Sequence, residues 1–159
     1  VAKDVIIKST HRGLRYEDGK LTGVLEAGRY EVPENRQGLP GRQGRPGRQG
    51  LLGVLGQRVP VVEIVLVDMR ERELIIKGQE ILTADKVAIR VSILTQFQVV
   101  DPVAAVEKVV SYEDRLYSDV QLAARRALAS MTLEEILTSR NQLSSDILSD
   151  VTDAAVGYG

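Results

Sequence analysis

The chain has 159 residues, 43% of them hydrophobic, with a formal net charge of −1. That length suffices for one domain with a real core, burying roughly 70% of its unfolded surface, and the near-neutral balance gives no pull toward nucleic acid or an acidic substrate. Cysteine is absent, which excludes a disulfide framework, a thiolate metal site and a cysteine nucleophile.

No window reaches the about 18 apolar residues of a membrane span; the most apolar run, Val61 to Val67, is short and contains Glu63. The sequence opens at Val1 with no methionine or signal-peptide pattern, and it reads as an excised piece of a longer protein.

Val5 to Lys8 and Arg12 to Tyr16 are short apolar runs, and Asp18-Gly19 is a tight-turn signal that demands φ > 0. A hairpin follows, with Lys20 to Leu25 as its second strand. The chain then runs through Ala27-Gly28 into Arg29 to Val32, where Pro33 ends the pairing. The expectation is a small antiparallel meander.

From Gln37 to Gln57 a glycine recurs at every third place, Gly38 through Gly56. The spacing is that of collagen, but a triple helix needs three chains, more triplets and more proline. Glycine at this density favours a flexible or polyproline-like loop. Its first half holds Arg36, Arg42, Arg45 and Arg48; its second half holds Leu51, Leu52, Val54 and Leu55. Three readings stay open. The leucines re-enter the core while the arginines stay solvated; or Arg42, Arg45, Arg48, Leu51, Leu52, Val54 and Leu55 meet a lipid interface, where each arginine gains about 1 kcal/mol near anionic headgroups; or the segment binds RNA. Against RNA, no aromatic lies between Pro33 and Val67 on which a base could stack.

Val59 to Asp68 is apolar enough for a central strand. Arg72 to Lys77 is another, with Leu74 and Ile76 facing one way and Ile75 the other, and Gly78-Gln79 reads as a turn before a short strand to Thr83. Val87 to Val99 alternates strictly through Ile89, Val91, Ile93, Thr95 and Phe97, a half-buried strand of roughly 43 Å. It stops at Asp101-Pro102, an N-cap followed by a residue suited to a helix's first turn.

A short helix follows. Ser111 then caps a helix from Tyr112 to Met131, and Thr132 with Glu135 forms a capping box that opens a third helix, with Leu133, Ile136, Leu137, Leu143, Ile147, Val151 and Ala154 on one side. The predicted class is α+β: one curved, mainly antiparallel sheet over residues 3–100, then two or three helices over 102–156 packed on it, in a single domain.

Catalytic equipment is sparse. His11 is the only histidine, beside Arg12 in a predicted strand, with no G-x-S-x-G nucleophile motif, no zinc spacing, no calcium loop and no phosphate-binding G-x-x-x-x-G-K-[ST] pattern. It reads as a surface residue. Neither a metal nor another cofactor is expected. Glu134, Glu135, Asp146, Asp150 and Asp153 crowd the last helix, where Arg140 is the lone base. Such a run is ordinarily a solvated face; alternatively, it is a contact between subunits of a ring, steered by the basic glycine loop of a neighbour.

Val67-Asp68-Met69-Arg70, then Gln79-Glu80-Ile81-Leu82-Thr83, Asp85 and the alternating strand resemble the core of the stomatin, prohibitin and flotillin family, the SPFH or band 7 domain, closest to its stomatin-like (slipin) branch. Gly28-Arg29-Tyr30 after the opening hairpin matches too. So does the tail with Ile136-Leu137, Arg140 and Asp150-Val151-Thr152-Asp153-Ala154. The regular glycine triplets depart from the shorter glycine-containing loop of that branch.

The resemblance implies a non-enzymatic, membrane-associated scaffold at the cytoplasmic face, anchored by a segment outside this chain. Such proteins form homo-oligomers, often rings, contact membrane lipids and organise microdomains. Two rivals remain. A partner-binding regulator of a membrane protease or channel, acting in protein quality control, predicts a capped complex and no lipid preference; an undetected hydrolase predicts turnover lost with His11 or a specific carboxylate.

Overall fold

The computed structural model describes residues 2–34 and 59–159, which divide into two compact units, Val1–Val67 and Asp68–Gly159. The glycine-triplet segment lies outside the described residues.

In the first unit, β2 (His11–Glu17) and β3 (Lys20–Leu25) form the expected hairpin. Its turn is held by Asp18 and Gly19 at φ 47° and 81°, the pair of positive values that lets a two-residue loop follow the twist of the strands. β5 (Val62–Asp68) lies on the other side of β2, giving the order β3-β2-β5. The turn is tied to the approach to β5: Asp18 N–H donates to the Val61 carbonyl at 2.8 Å, and Val61 N–H donates to the Asp18 carboxylate at 3.0 Å.

The meander does not form. β1 (Ala2–Ile7) pairs antiparallel with β4 (Gly28–Pro33), from Ala2 opposite Pro33 to Ile7 opposite Gly28. Ile7 and Leu14 are fully buried here, and a Cβ on Gly13 would stand 2.5 Å from Ile7 Cδ1 and 3.0 Å from Ile64 Cγ2. A residue with a Cβ there would have to displace the buried Ile7 side chain, which the glycine leaves in place. The predicted central strand, β5, stands at the end of its sheet among the described residues.

In the second unit, β6 (Arg72–Leu82) and β7 (Ala88–Phe97) form one long antiparallel hairpin. The two short strands expected over 72–83 are one strand: Gly78, at φ 59°, makes a bulge and not a turn, and its N–H donates to the Ser92 hydroxyl at 3.2 Å. The connection to β7 is organised by Thr83, which is buried and accepts from Val87 N–H through its hydroxyl at 3.0 Å.

Four helices follow: α1 (Pro102–Glu107), α2 (Tyr112–Ala129), α3 (Leu133–Thr138) and α4 (Arg140–Ala155), with a short 3-10 turn at Val156–Tyr158. The caps form as read. Asp101 accepts from Val103 and Ala104 N–H, Ser111 accepts from Asp114 N–H, and the Thr132–Glu135 box is reciprocal.

The expected third helix breaks at Ser139, whose φ −117° and ψ 33° leave the helical region. Next to the break, the Thr138 hydroxyl donates to the carbonyls of Glu134 and Glu135 in the last turn of α3.

Helices α2 and α4 pack on each other and α2 on β6. Ile76, Leu116, Val120, Ala123, Val151 and Tyr158 form one buried cluster; Ile81, Leu128 and Ile136 form a second. Burying Ile76 completely contributes about 1.5–3 kcal/mol. The class is α+β, antiparallel strands followed by helices. The strands fall into three described sheets and not one, because β1 turns back to β4 and the β6–β7 hairpin closes on itself.

Candidate functional site

The acidic residues of the last helical stretch fall on α3 and α4, and all five are exposed. They are not equivalent. Glu135 is committed to its capping box, accepting from Thr132 N–H at 3.1 Å. Asp146 accepts from Gln142 Nε2 at 2.9 Å, one turn back on α4. Asp150 forms an ion pair with Arg126 of α2 at 2.7 Å. With both side chains at least half exposed, that pair is worth at most about 1 kcal/mol. Glu134 and Asp153 make no ion pair or side-chain hydrogen bond among the described residues.

Arg126 was not apparent from sequence, because it lies 24 residues from Asp150. Its place in the last turn of α2 was the only available signal.

Two arginine-aromatic clusters join elements of the second unit. Arg72, at the start of β6, sits 5.0 Å from the Phe97 ring centroid and 5.5 Å from that of Tyr112, with its guanidinium bonded to Glu113 at 2.6 Å and to the Tyr112 hydroxyl. Burial works against its charge. The bonds to Tyr112 and Glu113 prevail and hold its pKa above the ordinary arginine value. Arg115 lies 5.4 Å from the Tyr158 ring centroid and pairs with Asp119 at 3.2 Å.

A third anchor joins the β6–β7 turn to the start of α3. Asp85 accepts from the Thr83 hydroxyl and from Leu133 N–H at 3.3 Å, while Ala84 N–H donates to the Met131 carbonyl at 2.8 Å. The Thr83 bond is the main reason the Asp85 carboxyl titrates below the usual range.

His11 is half-buried in β2, its Nδ1 2.7 Å from the Thr10 hydroxyl. No serine or cysteine nucleophile bonds to it in the described residues. Nor do the described residues bring together three His, Cys, Asp or Glu side chains that could hold a metal, and none of their helices is long and apolar enough to cross a membrane. The seven residues assigned to lipid contact, Arg42, Arg45, Arg48, Leu51, Leu52, Val54 and Leu55, lie outside the described residues.

Antiparallel strands followed by helices, with charge clusters that brace neighbouring elements, make up the described α+β arrangement. The family model described as SPFH domain / Band 7 family matches residues 5–159, and the chain belongs to that family, whose stomatin-like members are membrane-associated.

A stomatin homolog of Pyrococcus horikoshii is 32% identical over 102 residues, covering 64% of this chain and 38% of the relative; one from Pyrococcus abyssi matches to the same extent. An uncharacterized protein of Archaeoglobus fulgidus is 30% identical over 140 residues, 87% of this chain and 46% of the relative. The chain thus spans less than half the length of these relatives.

Proposed function

We propose that this chain is the scaffold domain of a non-enzymatic, membrane-associated protein that assembles with copies of itself, in ring form, on the cytoplasmic face and organises membrane microdomains. The observation that carries the proposal is membership of the SPFH/Band 7 family over residues 5–159. The exposed acidic side of α3 and α4 supports self-assembly, with Glu134 and Asp153 unpaired among the described residues, Asp146 bonded to Gln142 and Asp150 to Arg126. Lipid contact falls to Arg42, Arg45, Arg48, Leu51, Leu52, Val54 and Leu55. A membrane protease or channel is the alternative partner, docking on the same acidic face.

Flotation with anionic and neutral liposomes tests the lipid half. Salt-sensitive binding that disappears when Arg42, Arg45, Arg48, Leu52 and Leu55 become serine supports it; equal flotation of both forms defeats it. Sedimentation at low salt tests the assembly half. Reversing charge at Asp146, Asp150 and Asp153 dissolves the oligomer if the face is a subunit contact, and an unchanged mass distribution assigns the face to solvent.

A further inference from the structure

The β6–β7 hairpin packs one face against helices, through Ile76 and Ile81. Its other face is open. Such a face on an antiparallel sheet is ordinarily polar, but here Ile75, Leu82 and Leu94 stand on it 49%, 57% and 61% exposed. Register puts them in rows. Ile75 faces Leu94, Glu80 faces Arg90, and Leu82 faces Ala88 across the two strands.

The charged row is unmade within the chain. Glu80 and Arg90 are cross-strand partners, yet no ion pair joins them or engages either one elsewhere among the described residues. Arg90 lies instead over the bulge, its Cδ 3.9 Å from where a Cβ on Gly78 would stand. From Ile75 toward the turn the face thus reads apolar, polar at Lys77 and Ser92, oppositely charged, and apolar again. This order is self-complementary. A two-fold axis laid along the hairpin, between two such faces, sets each residue over its own cross-strand partner in the other copy. Ile75 then meets Leu94, Leu82 meets Ala88, and Glu80 meets Arg90, each twice.

We propose that this open face is a two-fold contact for a second copy of the chain, packed hairpin on hairpin with the strands within about 30° of aligned. It is separate from the ring contact assigned to α3 and α4, and it stops at two copies because a two-fold interface closes on itself. The contact is weak by size. Two strands of about ten residues offer roughly 300 Å² a side, against about 800 Å² per partner in a stable interface. It therefore adds to an assembly whose copies are already held close, while the charged row fixes its register.

The test is a charge swap in the whole chain, read by sedimentation equilibrium at high micromolar concentration and low salt. Glu80→Arg alone and Arg90→Glu alone each weaken dimerisation about tenfold, because like charges then meet twice. Mixing the two variants restores it, since every arginine again faces a glutamate of the other copy; a pair that acts only within its own chain gives no such rescue. Isotope-filtered NOEs between Ile75 methyls of one copy and Leu94 methyls of a differently labelled copy place the contact. Reversing charge at Asp146, Asp150 and Asp153 leaves this dimer intact even where it dissolves a ring, so the two contacts fail separately. A wild-type chain that stays monomeric, a mixture without rescue, or association that grows past two copies through this face overturns the proposal. So does loss of the dimer on that triple reversal, which gives the association to α3 and α4, or flotation with neutral liposomes that Leu94→Ser abolishes, which gives the face to lipid.

Discussion

The phenolic hydroxyl of Tyr158 donates to the Asp119 carboxylate at 2.7 Å, tying the 3-10 turn after α4 to the middle of α2. Burial first, and this bond second, push the Tyr158 pKa well above the usual tyrosine value. A raised folded-state pKa stabilises the fold fully below the unfolded value of about 10 and loses that contribution as pH rises toward the folded one. Tyr158→Phe is therefore expected to cost about 1–2 kcal/mol at neutral pH. The gap between the two proteins, followed by urea denaturation, shrinks above about pH 10.

Asp85 gives the opposite sign. Its folded-state pKa is depressed, chiefly by the Thr83 hydroxyl, so its contribution is present above the unfolded value of about 3.9 and lost as pH falls through the folded one. The stability difference between the wild type and Asp85→Asn is constant at neutral pH and closes below about pH 4. A difference that persists unchanged to pH 2 would show that the charge of Asp85 is irrelevant to the turn.

Gly78→Ala isolates a backbone effect. The new methyl would meet nothing closer than the Arg90 Cδ at 3.9 Å, ordinary contact, so the whole cost comes from holding an L-residue at φ 59°. About 1–2 kcal/mol is expected. Gly78→Asn should lose less, because asparagine tolerates that region.

Arg72→Lys keeps the charge and discards the planar fork between Phe97 and Tyr112. A loss of about 1–2 kcal/mol is expected, read as a lower urea midpoint with an unchanged slope. Ile76→Ala, at a fully buried site in the same unit, should cost about 2–5 kcal/mol.

What the sequence disclosed is what neighbouring residues decide among themselves. The turn at Asp18-Gly19, the cap at Asp101-Pro102, the Thr132–Glu135 box and the alternation from Ile89 to Phe97 each need only a few consecutive side chains, and each is present. Pairing of β1 with β4 depends on strands about twenty residues apart, and no local rule favours it over a meander. The bulge at Gly78 and the break at Ser139 were missed for another reason. A glycine inside a strand and a Thr-Ser pair inside a helix look the same whether the element ends there or merely deforms. Of the candidate site, the acidic residues were legible and their bracing by Arg126 was not.

The bulge in β6 also changes which letters of the sequence count as interior. Before it, even-numbered residues point inward, Leu74 and Ile76; after it the odd ones do, Gln79 and Ile81, while β7 opposite keeps odd numbers inward throughout. Gly78 and its neighbour thus act as a phase correction between two apolar half-strands written out of step. Deleting one residue there would bring the two half-strands into step and remove the bulge, leaving Gln79 and Ile81 inward opposite Val91 and Ile89, whereas deleting one residue elsewhere in the strand would put them out of step.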